Sequence, residues 1–490
     1  MHIVDMVYFW ARTMPQCPAV IQPDGIVSYR ALAQGSEYAA EYFARNILDK
    51  SKPVAVSIEN APRMLVASLG LFRAGFNIVP VARELFEYLP SANTRTLVYE
   101  REGATLDGGT NVLFNESWLT IGANLSQTDK PIRQTKTKDV HPFFFTSGTT
   151  GKRKLVARTQ KDWEQRILFS GTSSFASYER ALIVPGLSSS FGFTRACEVL
   201  YAGKTACFAP FGQPMLWLAN VYDIDMIVAS TRQALALAEI QEKLCYPLTS
   251  LKSLRVGGSI IARDGIKRIR NHLCRNLILI YSSSEAGTVA IAPYDMIEHI
   301  PDAVGFTIPD VEIEIVDAAG HGLPHGTEGF VRLRTPQFME KLAPGTSDPW
   351  FYPGDIGWLT DNGVLCVAGR TDDVVNRGGV KLSINDFEIF LSTCPGVIDA
   401  GVCTLMGSSG FEEIWVGVVF DPSVDMASFQ QSIESNAQFG TNIDKLFVVE
   451  TIPRGTLGKI QREELKKMLQ AIGDDTASSD GERHERRPAV

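Results

Sequence analysis

Phe145-Thr-Ser-Gly-Thr-Thr-Gly-Lys-Arg-Lys154 puts two glycines, four hydroxyls and two lysines into ten residues, directly after the apolar run Pro142-Phe-Phe-Phe145. The apolar run reads as the end of a strand and the Gly/hydroxyl stretch as the turn that follows it. Glycines let backbone approach an anion with no Cβ in the way. Hydroxyls and exposed N–H groups then donate to phosphate oxygens, and a lysine supplies the opposing charge. A Walker A loop is excluded: Gly148 and Gly151 have only two residues between them, and Lys152 precedes Arg153 rather than Ser or Thr. Taken alone, such a stretch is more often a flexible surface loop; what lies downstream decides.

Working outward, a chain of 490 residues is too long for one ordinary core, so two or more domains are expected. Apolar content of 45% and charged content of 21% suit a globular protein in water, and a net charge of −8 argues against nucleic acid as the main partner. The eight cysteines form no C-x-x-C pair, which speaks against zinc or a disulfide framework. The N-terminus carries Asp5 and no basic n-region, so it does not read as a signal peptide. The longest apolar stretch, Met64 to Val81, is broken by Arg73 and Asn77 and reads as a buried helix followed by a strand, not a membrane span. A cytoplasmic protein is the expectation.

Up to about residue 300, helical stretches (Ser36–Asn46, Met64–Ala74) alternate with β-branched runs (Val54–Ile58, Asn77–Val81, Arg180–Pro185, Thr205–Ala209, Met226–Ala229, Leu277–Tyr281). That alternation predicts an α/β fold with a largely parallel sheet covered by helices. Beyond residue 304, Val311–Val316 and Gly329–Arg334 show period-two patterning between turn signals, predicting antiparallel hairpins. After Arg370 a smaller α+β unit is expected, with helices near Ile384–Thr393 and Met426–Asn436 and a strand at Trp415–Phe420. Residues 473–490, polar and charge-rich, are expected to lack fixed structure.

Further motifs follow the phosphate loop in order. Gly257-Gly258-Ser259 ends a strand in a tight turn, and Tyr281-Ser-Ser-Ser-Glu285 ends another. A carboxylate among hydroxyls at a strand's C-terminal end is well placed for a phosphate-bound Mg²⁺. Then come Trp350-Phe-Tyr-Pro-Gly-Asp355, Gly369-Arg370-Thr-Asp-Asp373 with Gly378-Gly379-Val-Lys381, and Pro453-Arg-Gly-Thr-Leu-Gly-Lys459-Ile-Gln-Arg462. Each has a bland reading: Glu285 as a solvated or capping acid, Asp355 as a turn residue, Lys459 as a surface lysine. Their occurrence together, in one order, is what carries weight.

The ordered set resembles the adenylate-forming superfamily: acyl-CoA synthetases, peptide-synthetase adenylation domains and luciferases. The resemblance covers about residues 20–465, with Arg153 where Pro is customary, Ser282 for Gly and Ser284 for Thr. It implies a large N-terminal adenylation domain, residues 1–371, with a small β-barrel-like subdomain, and a small mobile domain, residues 372–472. By the same resemblance, Thr146, Ser147, Gly148, Thr149, Thr150, Gly151 and Lys154 cradle the phosphates of ATP, and Glu285 holds Mg²⁺. Asp355 and Arg370 grip the ribose, Tyr281 stacks on adenine, and Gly258, Ser259, Ser282, Ser283 and Ser284 lie along the nucleotide. Lys459 bridges the carboxylate and α-phosphate, where two anions must be brought together. Asp372 is the hinge, and Gly379 lets pantetheine approach.

Pro185-Gly-Leu-Ser-Ser-Ser-Phe-Gly192 resembles the family's acyl-site block, which implies Ser189, Phe191, Gly192 and Gly257 as acyl-pocket residues. Peptide-synthetase domains usually place Asp at the position of Gly192 to pair with an amino acid's ammonium. Its absence disfavours an α-amino acid, and the small glycine is read as opening volume for an aryl or alkyl acid. Arg195 and Arg232 are candidates for a second substrate carboxylate, against a surface role for each. The resemblance thus implies an ATP- and Mg²⁺-dependent acid–thiol ligase with coenzyme A as acceptor, or a carrier protein's phosphopantetheine instead. A non-catalytic nucleotide- or acyl-binding protein is the reading of another class, motivated by Arg153, Ser282 and Ser189.

Overall fold

The computed structural model of the chain describes all residues except 1, 48, 102–104, 107, 115–138, 147–153, 158–176, 245, 260, 262, 284, 336–349, 371–373, 378–379, 407–411, 425, 437–441, 456–457 and 480–490. Two compact units emerge: Met1–Pro353 with Trp358–Cys366, and Gly354–Gly357 with Val367–Val490.

In the larger unit, β1 (Pro18–Gln22) and β2 (Gly25–Ser28) form a hairpin, and α1 (Tyr29–Asn46) follows. The helix begins ahead of the predicted Ser36 because Ser28 caps it, its hydroxyl accepting from the Ala31 amide at 3.2 Å. Strands β3 (Val54–Ser57), β4 (Ile78–Pro80), β5 (Thr96–Tyr99) and β6 (Thr110–Leu113) make a parallel sheet in the order β4-β3-β5-β6, and α2 (Ala61–Ala74) is the crossover between β3 and β4. The Met64–Val81 stretch is therefore a helix and a strand, as its pattern predicts, and no described helix is long and apolar enough to cross a membrane.

β7 (Phe143–Thr146) and β8 (Lys154–Ala157) pair antiparallel. The period-two rule divides the Phe run between two cores. Phe144 packs at 5.9 Å from Phe193, while Phe143 and Phe145 lie against the β3–β4–β5 side with Val79, Val81 and Leu97.

The second sheet of this unit contains β9 (Arg180–Ile183), β10 (Thr205–Cys207), β11 (Met226–Ser230), β12 (Ser253–Gly257) and β13 (Leu277–Ser283), in the spatial order β13-β12-β11-β9-β10-β1-β2. β9 through β13 and β1 run parallel, as near-continuous apolar runs buried on both faces should. The helices Ser190–Tyr201 (α3), Gln213–Val221 (α4), Thr231–Leu244 (α5) and Arg263–His272 (α6) alternate with these strands. Beyond β13 the sheet turns antiparallel through β14 (Gly287–Pro293) and β15 (Ala303–Thr307). The predicted hairpin forms from β16 (Glu312–Val316) and β17 (Gly329–Arg334). β18 (Asp355–Leu359) and β19 (Leu365–Arg370) each begin in one unit and end in the other.

In the smaller unit, β20 (Val374–Arg377) and β21 (Val380–Ser383) form a hairpin ahead of α7 (Ile384–Thr393). β22 (Val397–Met406), β23 (Glu412–Phe420) and β24 (Lys445–Val448) form a three-stranded sheet. One face, with Val402, Val416 and Val418, packs against Phe387 and Leu391 of α7 and Phe429 of α8 (Met426–Glu434). The other face, with Cys403, Leu405 and Trp415, packs against Ile452, Leu465 and Leu469. The last two belong to α9, which runs Arg462–Ser479, so the stretch from Gly473 to Ser479 is helical where the composition predicts no fixed structure. Gly473 faces Trp415, and the contact continues the helix's apolar seam.

Candidate active site

In the larger unit the candidate residues collect along the carboxyl ends of parallel strands, where open α/β sheets bind ligands. Ser230, Gly257 and Ile280 are register partners across β11, β12 and β13, so the turns after these strands leave the sheet side by side. At Gly257 an added Cβ would stand 2.9 Å from the Ile280 carbonyl and 3.8 Å from the Phe191 ring, which puts Phe191 against the end of β12. Gly258 follows at φ +109, a conformation that L side chains rarely adopt, with open space where a Cβ would be. The Ser259 carbonyl accepts from the Thr231 hydroxyl at 2.9 Å, tying this turn to the start of α5. Thr231 carried no sequence signal.

The Tyr281–Glu285 motif straddles a β-bulge: the β13–β14 register shifts between Tyr281, opposite Ala290, and Ser282, opposite Thr288. Bulges re-aim side chains at the ends of strands. Ser282 is exposed, Tyr281, Ser283 and Glu285 are half-buried, and the Ser283 hydroxyl accepts from the Ala286 amide at 2.9 Å. Ser284 lies outside the described residues. Among the described residues no group of three or more His, Cys, Asp or Glu could hold a metal ion. Mg²⁺ bridged to phosphates needs only one or two carboxylates, a number that Glu285, just beyond the end of β13, can supply.

β7 and β8, the strands on either side of the candidate phosphate segment, pair with Thr146 directly opposite Lys154. Ser147, Gly148, Thr149, Thr150 and Gly151 lie outside the described residues.

Ser189 and Gly192 have local structural duties. Ser189 is the N-cap of α3: its hydroxyl accepts from the Gly192 amide at 3.0 Å and donates to the Gly186 carbonyl at 2.7 Å. A Cβ at Gly192 would sit 2.3 Å from the Pro185 carbonyl oxygen and 2.4 Å from that of Gly186. Glycine is thus required for the first turn of α3 to pack on the preceding backbone, and it does not itself make room for an acid. Arg232 is exposed.

Arg195 is not a surface residue. Its side chain is 12% exposed, donates to Glu198 at 2.7 Å and to the Thr288 hydroxyl at 3.2 Å, and lies over the Phe191 ring at 5.8 Å. Arg255, near enough to feel its charge, lies over the Tyr178 ring at 5.6 Å. Burial, and then the nearby Arg195 charge, draw the Arg255 guanidinium below its usual range, while burial pushes the Tyr178 hydroxyl up to about 12.

In the smaller unit, Asp355 is buried and accepts from Arg370 Nε at 3.1 Å. Asp372 and Gly379 lie outside the described residues. Lys459 is exposed next to the tip of a narrow hairpin: Arg454 bridges Ile460 antiparallel, the Gly455 amide donates to the Lys459 carbonyl at 2.8 Å, and the Gly458 amide donates to the Gly455 carbonyl at 2.8 Å. Ile460 turns inward onto the Cys403–Trp415 face while Lys459 turns out.

The family model for AMP-binding enzymes matches residues 8–342. A 4-chlorobenzoate–CoA ligase from Arthrobacter sp is 25% identical over 509 residues, covering 96% of this chain and 96% of the relative. Salicyl-AMP ligase / salicyl-S-ArCP synthetase from Mycobacterium tuberculosis (strain ATCC 25618 / H37Rv) is 27% identical over 471 residues, covering 89% and 80%. Among solved structures, o-succinylbenzoate CoA synthetase (MenE) from Bacillus subtilis, in complex with its acyl-adenylate intermediate, matches with a TM-score of 0.78 at 20% identity, covering 94% of this chain and 98% of that one. ATP-bound MatB from Rhodopseudomonas palustris matches with a TM-score of 0.77 at 20% identity, covering 96% and 100%. These structural likenesses bear on the fold, the motif order and the family model on the lineage, and by them the chain belongs to the AMP-binding enzymes of the adenylate-forming superfamily.

Proposed function

We propose that this chain activates an aryl or alkyl carboxylate as acyl-AMP with release of pyrophosphate, then transfers the acyl group to the thiol of coenzyme A. The observation that carries the reading is Lys459, exposed at a hairpin of fixed geometry and in the motif position of the family's adenylation lysine. Bringing a carboxylate to the α-phosphate sets anion against anion, and an ammonium held at the right point stabilises the charge that develops between them. In this reading Asp355, oriented by Arg370, accepts the ribose hydroxyls, and Tyr281 stacks on adenine. Thr146 to Lys154 hold the β- and γ-phosphates, and Glu285 would hold a Mg²⁺ that offsets part of their charge. The lid carrying Lys459 turns at Asp372 between the two half-reactions, and Gly379 then faces pantetheine.

One feature supports an acid without an α-amino group: Gly192 offers no carboxylate and has no space for one. Loading of a carrier-protein phosphopantetheine is the second reading, favoured by the likeness to the salicyl-AMP ligase / salicyl-S-ArCP synthetase.

The test is pyrophosphate release from MgATP with benzoate, 4-chlorobenzoate, salicylate and octanoate, followed by thioester formation with coenzyme A or with a holo carrier protein. Release with one of these acids and none without acid is expected; silence with every acid would point to a binding protein. Faster thioester formation on the carrier than on coenzyme A would move the acceptor to the second reading.

A further inference from the structure

The hairpin that presents Lys459 is fastened to its own unit by two arginines, and one of them reads the backbone next to the lysine. Arg454 lies two hairpin rungs from the tip. Its Nη1 donates to the Gly458 carbonyl at 2.7 Å, the peptide immediately before Lys459. Its Nε and Nη2 donate to the two carboxylate oxygens of Asp399 at 3.2 and 2.7 Å, and Nη2 also reaches the Ala400 carbonyl at 3.2 Å. Asp399 and Ala400 belong to β22, the strand whose face carries this unit's core, so the fork ties the lysine's turn to a rigid element. Arg462, on the far side of Lys459, repeats the device. It donates to the Glu388 carboxylate in α7 and, at 2.7 Å, to the Val402 carbonyl of the same strand.

We propose that Arg454 is a positioning residue for adenylation: its guanidinium, locked by Asp399, fixes the Gly458 peptide and with it the place where the Lys459 ammonium is delivered. The inference rests on the reading of Lys459 as the adenylation cation. A planar guanidinium is what the task needs, because only a fork can take both carboxylate oxygens and still spare an N–H for a carbonyl. A lysine at this position would keep the charge and lose the geometry. Gly458, at φ +79, allows the tight turn but does not fix it, and Lys459 has four rotatable bonds of its own. Misplacing a catalytic group by about 1 Å costs on the order of 10²-fold in rate.

The test uses the full chain as wild type, Arg454→Ala, Arg454→Lys, Asp399→Ala, Lys459→Ala and the double variant Arg454→Ala/Lys459→Ala. Hydrogen exchange across residues 450–462 needs no substrate. Arg454→Ala and Asp399→Ala are expected to speed exchange there about tenfold or more while β22 and α7 stay protected, with Arg454→Lys between them and wild type. Unchanged exchange in this segment overturns the proposal, and so does loss of protection across the whole unit.

Pyrophosphate release with the panel acid that turns over fastest is the second readout. Arg454→Ala is expected to lose about 30- to 100-fold in kcat with the KM for ATP within about threefold of wild type. In the Lys459→Ala background it should cost nothing further, since a residue that acts through the lysine has nothing left to place. An equal loss in both backgrounds overturns the proposal. Wild-type release by Lys459→Ala alone would instead sink the functional reading, leaving the exchange result to judge the clamp.

Discussion

The two units hold their candidate residues by different physical means. Around β12 and β13, the buried Arg195–Glu198 pair apart, the larger unit works by shape. Gly192 packs on the Pro185 and Gly186 carbonyls, the Ser189 hydroxyl caps α3, Gly258 takes a left-handed backbone, and a bulge turns the chain at Ser282. The smaller unit works by charge: Asp355 sits with Arg370, and the Lys459 hairpin is gripped by Arg454–Asp399 and Arg462–Glu388. A close-packed interior transmits a misfit to the whole fold, whereas a partly exposed ion pair is worth little to stability and much to geometry. Damage to the first region should therefore appear as instability, and damage to the second as lost rate in a folded chain.

The contrast is sharpest at Lys459→Ala, expected to lower the adenylation rate about 10³-fold, the upper end of what one stabilising donor contributes. Its melting temperature should stay within a degree or two of wild type, and a larger fall would erase the distinction. Gly192→Ala comes next. Forcing a Cβ against two carbonyls should destabilise the chain by about 2–3 kcal/mol in urea unfolding, and an unchanged midpoint would show that shape is not what holds α3. Asp355→Asn is expected to raise the KM for ATP about tenfold through a weakened charge-assisted hydrogen bond, with urea unfolding unaltered. Ser189→Ala should cost about 1 kcal/mol of stability for the lost cap; a large loss of activity at constant stability would instead make Ser189 an acyl-site residue.

The smallest effect concerns alkaline pH. Burial pushes the Cys207 thiol up to about 12 in the larger unit and the Cys403 thiol up to about 11 in the smaller. The folded chain keeps thiol protons that the unfolded chain releases above its ordinary value of 9.0. Stability from these groups is thus complete below pH 9 and falls as pH rises towards 11–12. At pH 9.5 each should account for no more than about 1 kcal/mol. Cys207→Ala and Cys403→Ala should each flatten the decline in urea midpoint between pH 7.5 and 9.5.

Much of this was legible in the chain because the informative groups are contiguous. The Phe run before Thr146 declares a strand, and Ser-Ser-Ser-Glu285 and Gly-Lys459 announce themselves as short strings. Elements came through for the same reason: Val54–Ser57 and Ala61–Ala74 follow periodicities that local sterics enforce. The clamp was not legible, since Arg454 meets Asp399 across 55 residues and Arg462 meets Glu388 across 74, and a lone acid in a strand gives no sign of its partner. For Arg195 the sequence leaves two readings, a partner for a second substrate carboxylate or a surface group, and its burial removes only the second. The partners that hold it inside include Thr288, 93 residues away. Ser189 and Gly192 carried a signal that a pocket reading passed over: a serine just before an apolar helix is first of all a cap.

The smaller unit is not one continuous piece of chain, since it takes Gly354–Gly357 from ahead of Trp358–Cys366. A gene fragment opening at Val367 would keep Arg370 and leave Asp355 behind. Chimeras that exchange the smaller unit between relatives therefore have to transplant the upstream tetrapeptide as well, or the Asp355–Arg370 pair would be assembled from two different ancestries.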